Sequence, residues 1–175
     1  ERHLGRPWEV FTMANEVSTH SGGPAVHDVK LIAERDGPVT CAKGMRVLPD
    51  LTTAQCSHLD VLLVPGGQGT RREVSNTALL DWIATIARGT KWTTSVCTGS
   101  LLLTAAGPAK GKRVTTHWSF IEALRARGEA GEVLGNYRYV RDGNIVTAAG
   151  VSAGIDMALW LVGALHSPDF ARAVQ

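Results

Sequence analysis

The run Thr93-Thr94-Ser95-Val96-Cys97-Thr98-Gly99-Ser100-Leu101 reads as a strand that ends on a cysteine and passes directly into an apolar helix. The small Ser95 and the glycine Gly99 leave room for a sharp strand-to-helix turn, which would hold the Cys97 sulfur out of the sheet and over the helix N-terminus. That is the geometry of a nucleophile elbow with cysteine in the place of serine. The positive end of a helix dipole favours a thiolate, so the pattern predicts a Cys97 pKa below the ordinary thiol value of about 8.5. A lone cysteine is commonly just a small buried hydrophobe; the residues flanking Cys97 favour the nucleophile. Cys41 and Cys56 lack such flanks and keep the bland reading. No two cysteines stand at a C-x₂₋₄-C spacing, which leaves neither a disulfide framework nor a zinc site and points to a reducing compartment.

Three further stretches could serve Cys97. In Val64-Pro65-Gly66-Gly67-Gln68-Gly69-Thr70 a glycine turn follows an apolar strand, and successive amides there can form a nest for negative charge. Gly66 and Gly67 are therefore candidates for an oxyanion site, with the Gly67 amide the preferred donor. The loop lacks the lysine and the spacing of a phosphate-binding P-loop. His117, in Thr115-Thr116-His117-Trp118, ends the next strand 20 positions beyond the cysteine. Adjacent parallel strands allow a Cys–His pair, and a structural hydrogen bond beside Trp118 is an equal alternative. In Ala149-Gly150-Val151-Ser152-Ala153-Gly154-Ile155-Asp156, the glycines Gly150 and Gly154 permit close packing against the cysteine turn, and Asp156 is read as structural.

The elements that must position these residues alternate in period. Pro7 suits the first turn of a helix that carries Trp8, Phe11, Ala14 and Val17 on one face, stopped by Ser21-Gly22-Gly23-Pro24. Residues 27–33 read as a strand, and residues 39–42 and 45–48 as a small hairpin around Gly44. The continuous apolar run at residues 59–64 is the mark of a strand buried on both faces of a parallel sheet. Asn76 caps a helix that Gly89 ends, and strand, helix, strand, helix follow at residues 91–96, 98–106, 114–116 and 119–127. Asp142-Gly143-Asn144 is the turn of a hairpin, and residues 152–165 and 169–174 close the chain as helices. Such alternation means an α/β fold with a mostly parallel sheet sandwiched by helices.

Composition narrows the function classes. With 18 Lys+Arg against 16 Asp+Glu in 175 residues, the net charge of +2 advertises no nucleic-acid or other polyanion partner. The hydrophobic share of 44% is that of a globular chain with one core. The longest apolar runs fall short of the roughly 18 residues of a membrane helix, so a soluble, cytoplasmic protein is expected.

These blocks resemble the ThiJ/PfpI family, within the class I glutamine-amidotransferase-like folds. Gly5-Arg6-Pro7-Trp8-Glu9-Val10-Phe11, Asp60-Val61-Leu62-Leu63-Val64-Pro65-Gly66-Gly67, Ser95-Val96-Cys97-Thr98-Gly99-Ser100, Thr115-Thr116-His117-Trp118 and residues 149–156 occur in the family's order over nearly the whole chain. The cysteine block followed by Thr-Thr-His-Trp looks most like the isonitrile hydratase branch. It is also similar to the sensor domain of AraC-type regulators. The protease-like branch usually has histidine directly after the nucleophile, where this chain has Thr98. The resemblance implies a flavodoxin-like sheet and a cofactor-free, homodimeric enzyme with a small-molecule substrate. It further implies attack of Cys97 on an isonitrile carbon, with Thr98 and the Gly67 amide positioning substrate or water. Where the hydratase pattern carries an aspartate, four residues before the proline, this chain has His3. Histidine can shuttle a proton at neutral pH, and Glu9 is a nearby carboxylate.

The family's first strand precedes the Gly5–Phe11 block, and the sequence opens on Glu1-Arg2-His3 without methionine. The expectation is therefore one domain over residues 1–175, trimmed at both ends. Trp8 and Phe11 are the expected exposed dimer contacts. The competing functions are a ligand-sensing domain of a transcriptional regulator and a stress-response protein that uses oxidation of Cys97.

Overall fold

The computed structural model describes residues 2–175, with side chains described from Leu4 onward. Helix α1 (Arg2–His20) leads into a long irregular segment and the short strands β1 (Ile32–Ala33), β2 (Val39–Thr40), β3 (Arg46–Val47) and β4 (Leu51–Thr52). Next come β5 (Val61–Val64), α2 (Thr70–Glu73), α3 (Thr77–Ala87), β6 (Trp92–Val96), α4 (Gly99–Ala106) and β7 (Arg113–Val114). A 3₁₀ turn (Trp118–Phe120) opens into α5 (Ile121–Arg127), and β8 (Glu132–Val133), β9 (Tyr139–Asp142), β10 (Ile145–Ala148), α6 (Val151–Leu165) and α7 (Pro168–Val174) complete the chain.

The central sheet has the order β5-β6-β10-β9, with the first three strands parallel and β9 antiparallel. The β9–β10 hairpin turns through Gly143, whose positive φ of 65° explains the glycine. Helices α1, α6 and α7 cover one face of this sheet. Val10, Phe11 and Ala14 of α1 pack there against Ala158, Leu161 and Val162 of α6 and Val174 of α7. On the other face Leu62 and Val64 of β5 meet Ile83 and Ile86 of α3 and Leu101, Leu102 and Leu103 of α4. This is the expected α/β sandwich with a mostly parallel sheet.

Several expectations about elements need correction. Helix α1 begins at Arg2, so Pro7 lies inside it rather than in its first turn. The proline costs the helix one backbone hydrogen bond, while its buried ring reaches Gly154 of α6. The buried stripe of α1 is Val10, Phe11 and Ala14; Trp8 is 42% exposed, whereas Phe11 is only 9% exposed and is part of the core, so Phe11 is no dimer contact. Of residues 27–33 only Ile32–Ala33 form a strand. The preceding segment is held by Asn15 instead, whose Oδ1 accepts the amides of Val26 and His27 at 2.8 Å while its Nδ2 donates to the His27 carbonyl. Helix α2 starts at Thr70, the last residue of the stretch expected as a glycine turn. Among the described residues no helix is long and apolar enough to cross a membrane.

The Asn15 anchor places His27 against His166 at the end of α6, with their Nε2 atoms 3.2 Å apart and Phe11 and Phe170 closing the cluster edge-on. Burial, and then the neighbouring His166, lower the pKa of His27 from its ordinary value. A base held neutral in the folded state binds fewer protons than in the unfolded chain, so stability is fully present above the unfolded pKa and falls as pH drops through the folded one. The expected result is a thermal midpoint that declines as pH is lowered from neutral into the mildly acidic range. That decline should be shallower in His27→Gln, which thermal unfolding followed by circular dichroism at a series of pH values would measure.

Candidate active site

Cys97 stands between the last residue of β6 and the first turn of α4 and has a φ of 57°, the left-handed region. A non-glycine residue there stores on the order of 1 to 2 kcal/mol of backbone strain, and it persists only where its surroundings fix it. Those surroundings are specific. The Cys97 amide donates to Ala148 O of β10 at 2.8 Å. Its carbonyl accepts from the hydroxyls of Thr116 at 3.0 Å and Ser100 at 3.2 Å. Two glycines let the loop after β5 press against this turn. A Cβ on Gly66 would lie 2.6 Å from the Thr98 amide nitrogen and 2.8 Å from Cys97 Cβ, and a Cβ on Gly99 would overlap the Val64 carbonyl oxygen. On the far side, a Cβ on Gly154 of α6 would meet Val96 at 3.0 Å. Gly150 has open space around a would-be Cβ, so the close approach expected of both glycines is made by Gly154 alone.

Thr98 is buried and tied into the glycine loop. Its Oγ1 accepts the Gly67 amide at 3.0 Å and lies 3.2 Å from the Gly67 carbonyl. The hydroxyl of Thr70, also buried, sits 3.0 Å from Thr98 Oγ1 and 2.8 Å from the Gly67 carbonyl. The Gly67 amide was expected to face a substrate oxyanion; it is committed to Thr98 instead. Thr98 and Thr70 thereby fix the shape of the loop beside the sulfur.

The electrostatics also differ from expectation. Burial pushes the Cys97 thiol above its ordinary pKa, while the amide and hydroxyl of Thr98 and the charge of Arg71 pull the other way without prevailing. Cys97 is 5% exposed, and the cost of removing a charge from water outweighs the Thr98 donors and the Arg71 charge.

His117 does not pair with Cys97. It caps the 3₁₀ turn, with Nδ1 2.7 Å from Ser119 Oγ and the Ser119 amide pointing at the same nitrogen, and its ring lies beside that of Trp118. The structural alternative for this residue is the one realised. Glu9 is exposed on α1, where its backbone carbonyl accepts the Thr12 hydroxyl at 3.1 Å, and its carboxylate makes no hydrogen bond or ion pair among the described residues. The side chain of His3 lies outside the described residues. Asp156 pairs with Arg138, a structural role on the flank of α6. No group of three or more potential metal ligands occurs among the described residues.

Three residues that hold or border this turn escaped the sequence reading: Thr70, Arg71 and Thr116. Thr70 closes the Gly66–Gly69 stretch and Thr116 precedes His117, and a threonine in such a stretch carries no signal that its hydroxyl will hold a neighbouring turn. Arg71 carries no sequence signal of its own.

A parallel α/β sandwich that delivers a strained, buried cysteine from a strand end to a helix start defines a class of cysteine-centred α/β domains. The chain belongs to the DJ-1/PfpI family, whose model matches residues 3–164. It is 44% identical over 172 residues to the isonitrile hydratase of Pseudomonas putida, an alignment covering 98% of this chain and 70% of that protein. It is 33% identical over 138 residues to the HTH-type transcriptional regulator CdhR of Pseudomonas aeruginosa, covering 79% of this chain and 40% of the regulator. The crystal structure of a ThiJ/PfpI family protein from Pseudomonas syringae superposes with a TM-score of 0.79 at 34% identity, over 95% of this chain and 67% of that one.

Proposed function

We propose that the protein is a cysteine-dependent enzyme that hydrates isonitriles to N-substituted formamides, with Cys97 as nucleophile. The observation that carries this reading is Cys97 at φ 57° with Thr98 bound into the Gly67 loop, in a chain 44% identical to an isonitrile hydratase. In the proposed reaction the Cys97 sulfur bonds to the terminal isonitrile carbon and the thiol proton ends on that same carbon, giving a thioimidate. Water then adds to the carbon, its second proton going to nitrogen. Collapse of the tetrahedral adduct breaks the carbon–sulfur bond, returns the thiol and releases the formamide. A thiol whose pKa is raised by burial suits the first step, because it arrives carrying the proton that the carbon needs. Thr98 positions the loop against which the substrate lies. His3, where the hydratase pattern has an aspartate, is the proposed proton shuttle for the water step. A homodimer with Trp8 at its contact belongs to the same proposal.

The test is direct. In deuterium oxide with cyclohexyl isocyanide, the protein is expected to produce N-cyclohexylformamide bearing deuterium on the formyl carbon, followed by NMR. No formamide above the buffer control overturns the hydratase reading. The similarity to CdhR favours a second reading, a ligand-sensing domain. Saturable binding of an isonitrile or other small molecule without turnover would support it.

A further inference from the structure

Arg71 borders the cysteine turn and has no part in the proposed chemistry. It follows Thr70, whose hydroxyl reaches Thr98, and its guanidinium lies 4.5 Å from the ring centroid of Phe120. Phe120 ends the turn that follows Thr116, whose hydroxyl holds the Cys97 carbonyl. The Arg71–Phe120 contact therefore bridges the two flanks of the cysteine turn, one anchored through Thr70 and the other through Thr116. The adjacent Arg72 pairs with Glu73. Arg71 is exposed, and among the described residues no carboxylate lies within ion-pair distance of it. Its guanidinium carbon stands over the aromatic ring, and among the described residues its N–H groups donate to no side chain or carbonyl, which leaves them for a carboxylate. The charge of Arg71 also acts on the Cys97 thiol, which places it within electrostatic reach of the reacting sulfur.

We propose that Arg71, standing over Phe120 beside the cysteine turn, is the anion-recognising residue of the Cys97 site, so that the molecule taken there carries a carboxylate beside its reacting group. The substrate class follows from the hydratase reading and rests on it: an isonitrile bearing a carboxylate rather than a neutral alkyl isonitrile.

The experiment separates the two claims. Iodoacetate and iodoacetamide present the same carbon to the thiolate, which displaces iodide from both, and differ in charge. Alkylation of the Cys97 peptide is measured by mass spectrometry in the wild type, Arg71→Gln and Arg72→Gln, with the Cys41 peptide as internal reference. The ratio of iodoacetate to iodoacetamide rates at Cys97 should fall about fivefold in Arg71→Gln, the scale of one exposed ion pair, and stay at the wild-type value in Arg72→Gln. Taking the ratio cancels any change in thiol pKa. An unchanged ratio in Arg71→Gln overturns the proposal, as does an equal fall in Arg72→Gln, which would mean a general surface-charge effect. A Cys97 that reacts with neither probe overturns it too, since such a site has no open mouth. None of these readings depends on isonitrile turnover. The substrate class is read separately, from turnover of isocyanoacetate against its methyl ester: preference for the acid, lost in Arg71→Gln, is expected, and an ester turned over as well as the acid overturns that class.

Discussion

Gly99→Ala is expected to lose about 3 to 5 kcal/mol of stability, a fall in thermal midpoint of roughly 10 °C. The first residue of α4 lies directly against the end of β5, and a methyl group there would overlap the Val64 carbonyl oxygen and crowd Pro65. These are backbone atoms, so no flexible side chain can swing away. Relief would require parting α4 from β5, and Val64 of β5 and Leu101, Leu102 and Leu103 of α4 share one buried cluster. Displacing α4 would also disturb Cys97, because the Ser100 hydroxyl is bonded to the Cys97 carbonyl. Gly150→Ala is the matched control. No heavy atom lies within 4 Å of its would-be Cβ, and its φ of −152° is ordinary extended backbone. It should shift the midpoint by no more than a degree or two, about the effect of an ordinary surface substitution. Equal midpoints for the two variants would refute the packing account.

Periodicity made the architecture legible because the strands that matter are buried runs between breakers: residues 59–64 before Pro65-Gly66-Gly67, and residues 91–96 before the cysteine. Asn76 as a helix cap was also readable, since its side chain accepts the Leu79 amide as the pattern requires. The segment at residues 27–33 was not. Its hydrophobic alternation suits a strand, but Asn15, 12 positions earlier, takes up the backbone groups of His27 that a strand partner would need. That competition is long-range and leaves no local trace. At the site, type and spacing singled out Cys97 and the two glycines, and the family resemblance singled out Thr98; the Gly67 amide, expected to face a substrate, is bonded to Thr98. A nest of amides and a loop pinned by a threonine hydroxyl look alike in sequence. The direction of the Cys97 pKa was illegible for a similar reason, since a helix start is visible in sequence whereas the burial that raises the pKa is a property of the assembled fold.

Cys97→Ala is expected to lower formamide formation by at least about 10³-fold, the scale seen when a nucleophile is removed from a covalent mechanism. Among the described residues, no second cysteine stands near this turn: Cys41 lies beside the β2–β3 hairpin and Cys56 contacts the His58 carbonyl. The substitution is small. Alanine keeps the Cβ, the backbone bonds to Ala148 and Thr116 do not involve the sulfur, and the lost packing is on the order of 1 kcal/mol. The activity loss therefore cannot be assigned to unfolding, and a midpoint within a few degrees of the wild type would verify that.

The most direct measurement of the central claim is the initial rate of N-cyclohexylformamide formation from cyclohexyl isocyanide by wild-type protein and Cys97→Ala at equal concentrations of folded protein. Turnover by the wild type and none above buffer by the variant is the expected result. Turnover by Cys97→Ala at the wild-type rate would contradict a reaction through the Cys97 sulfur.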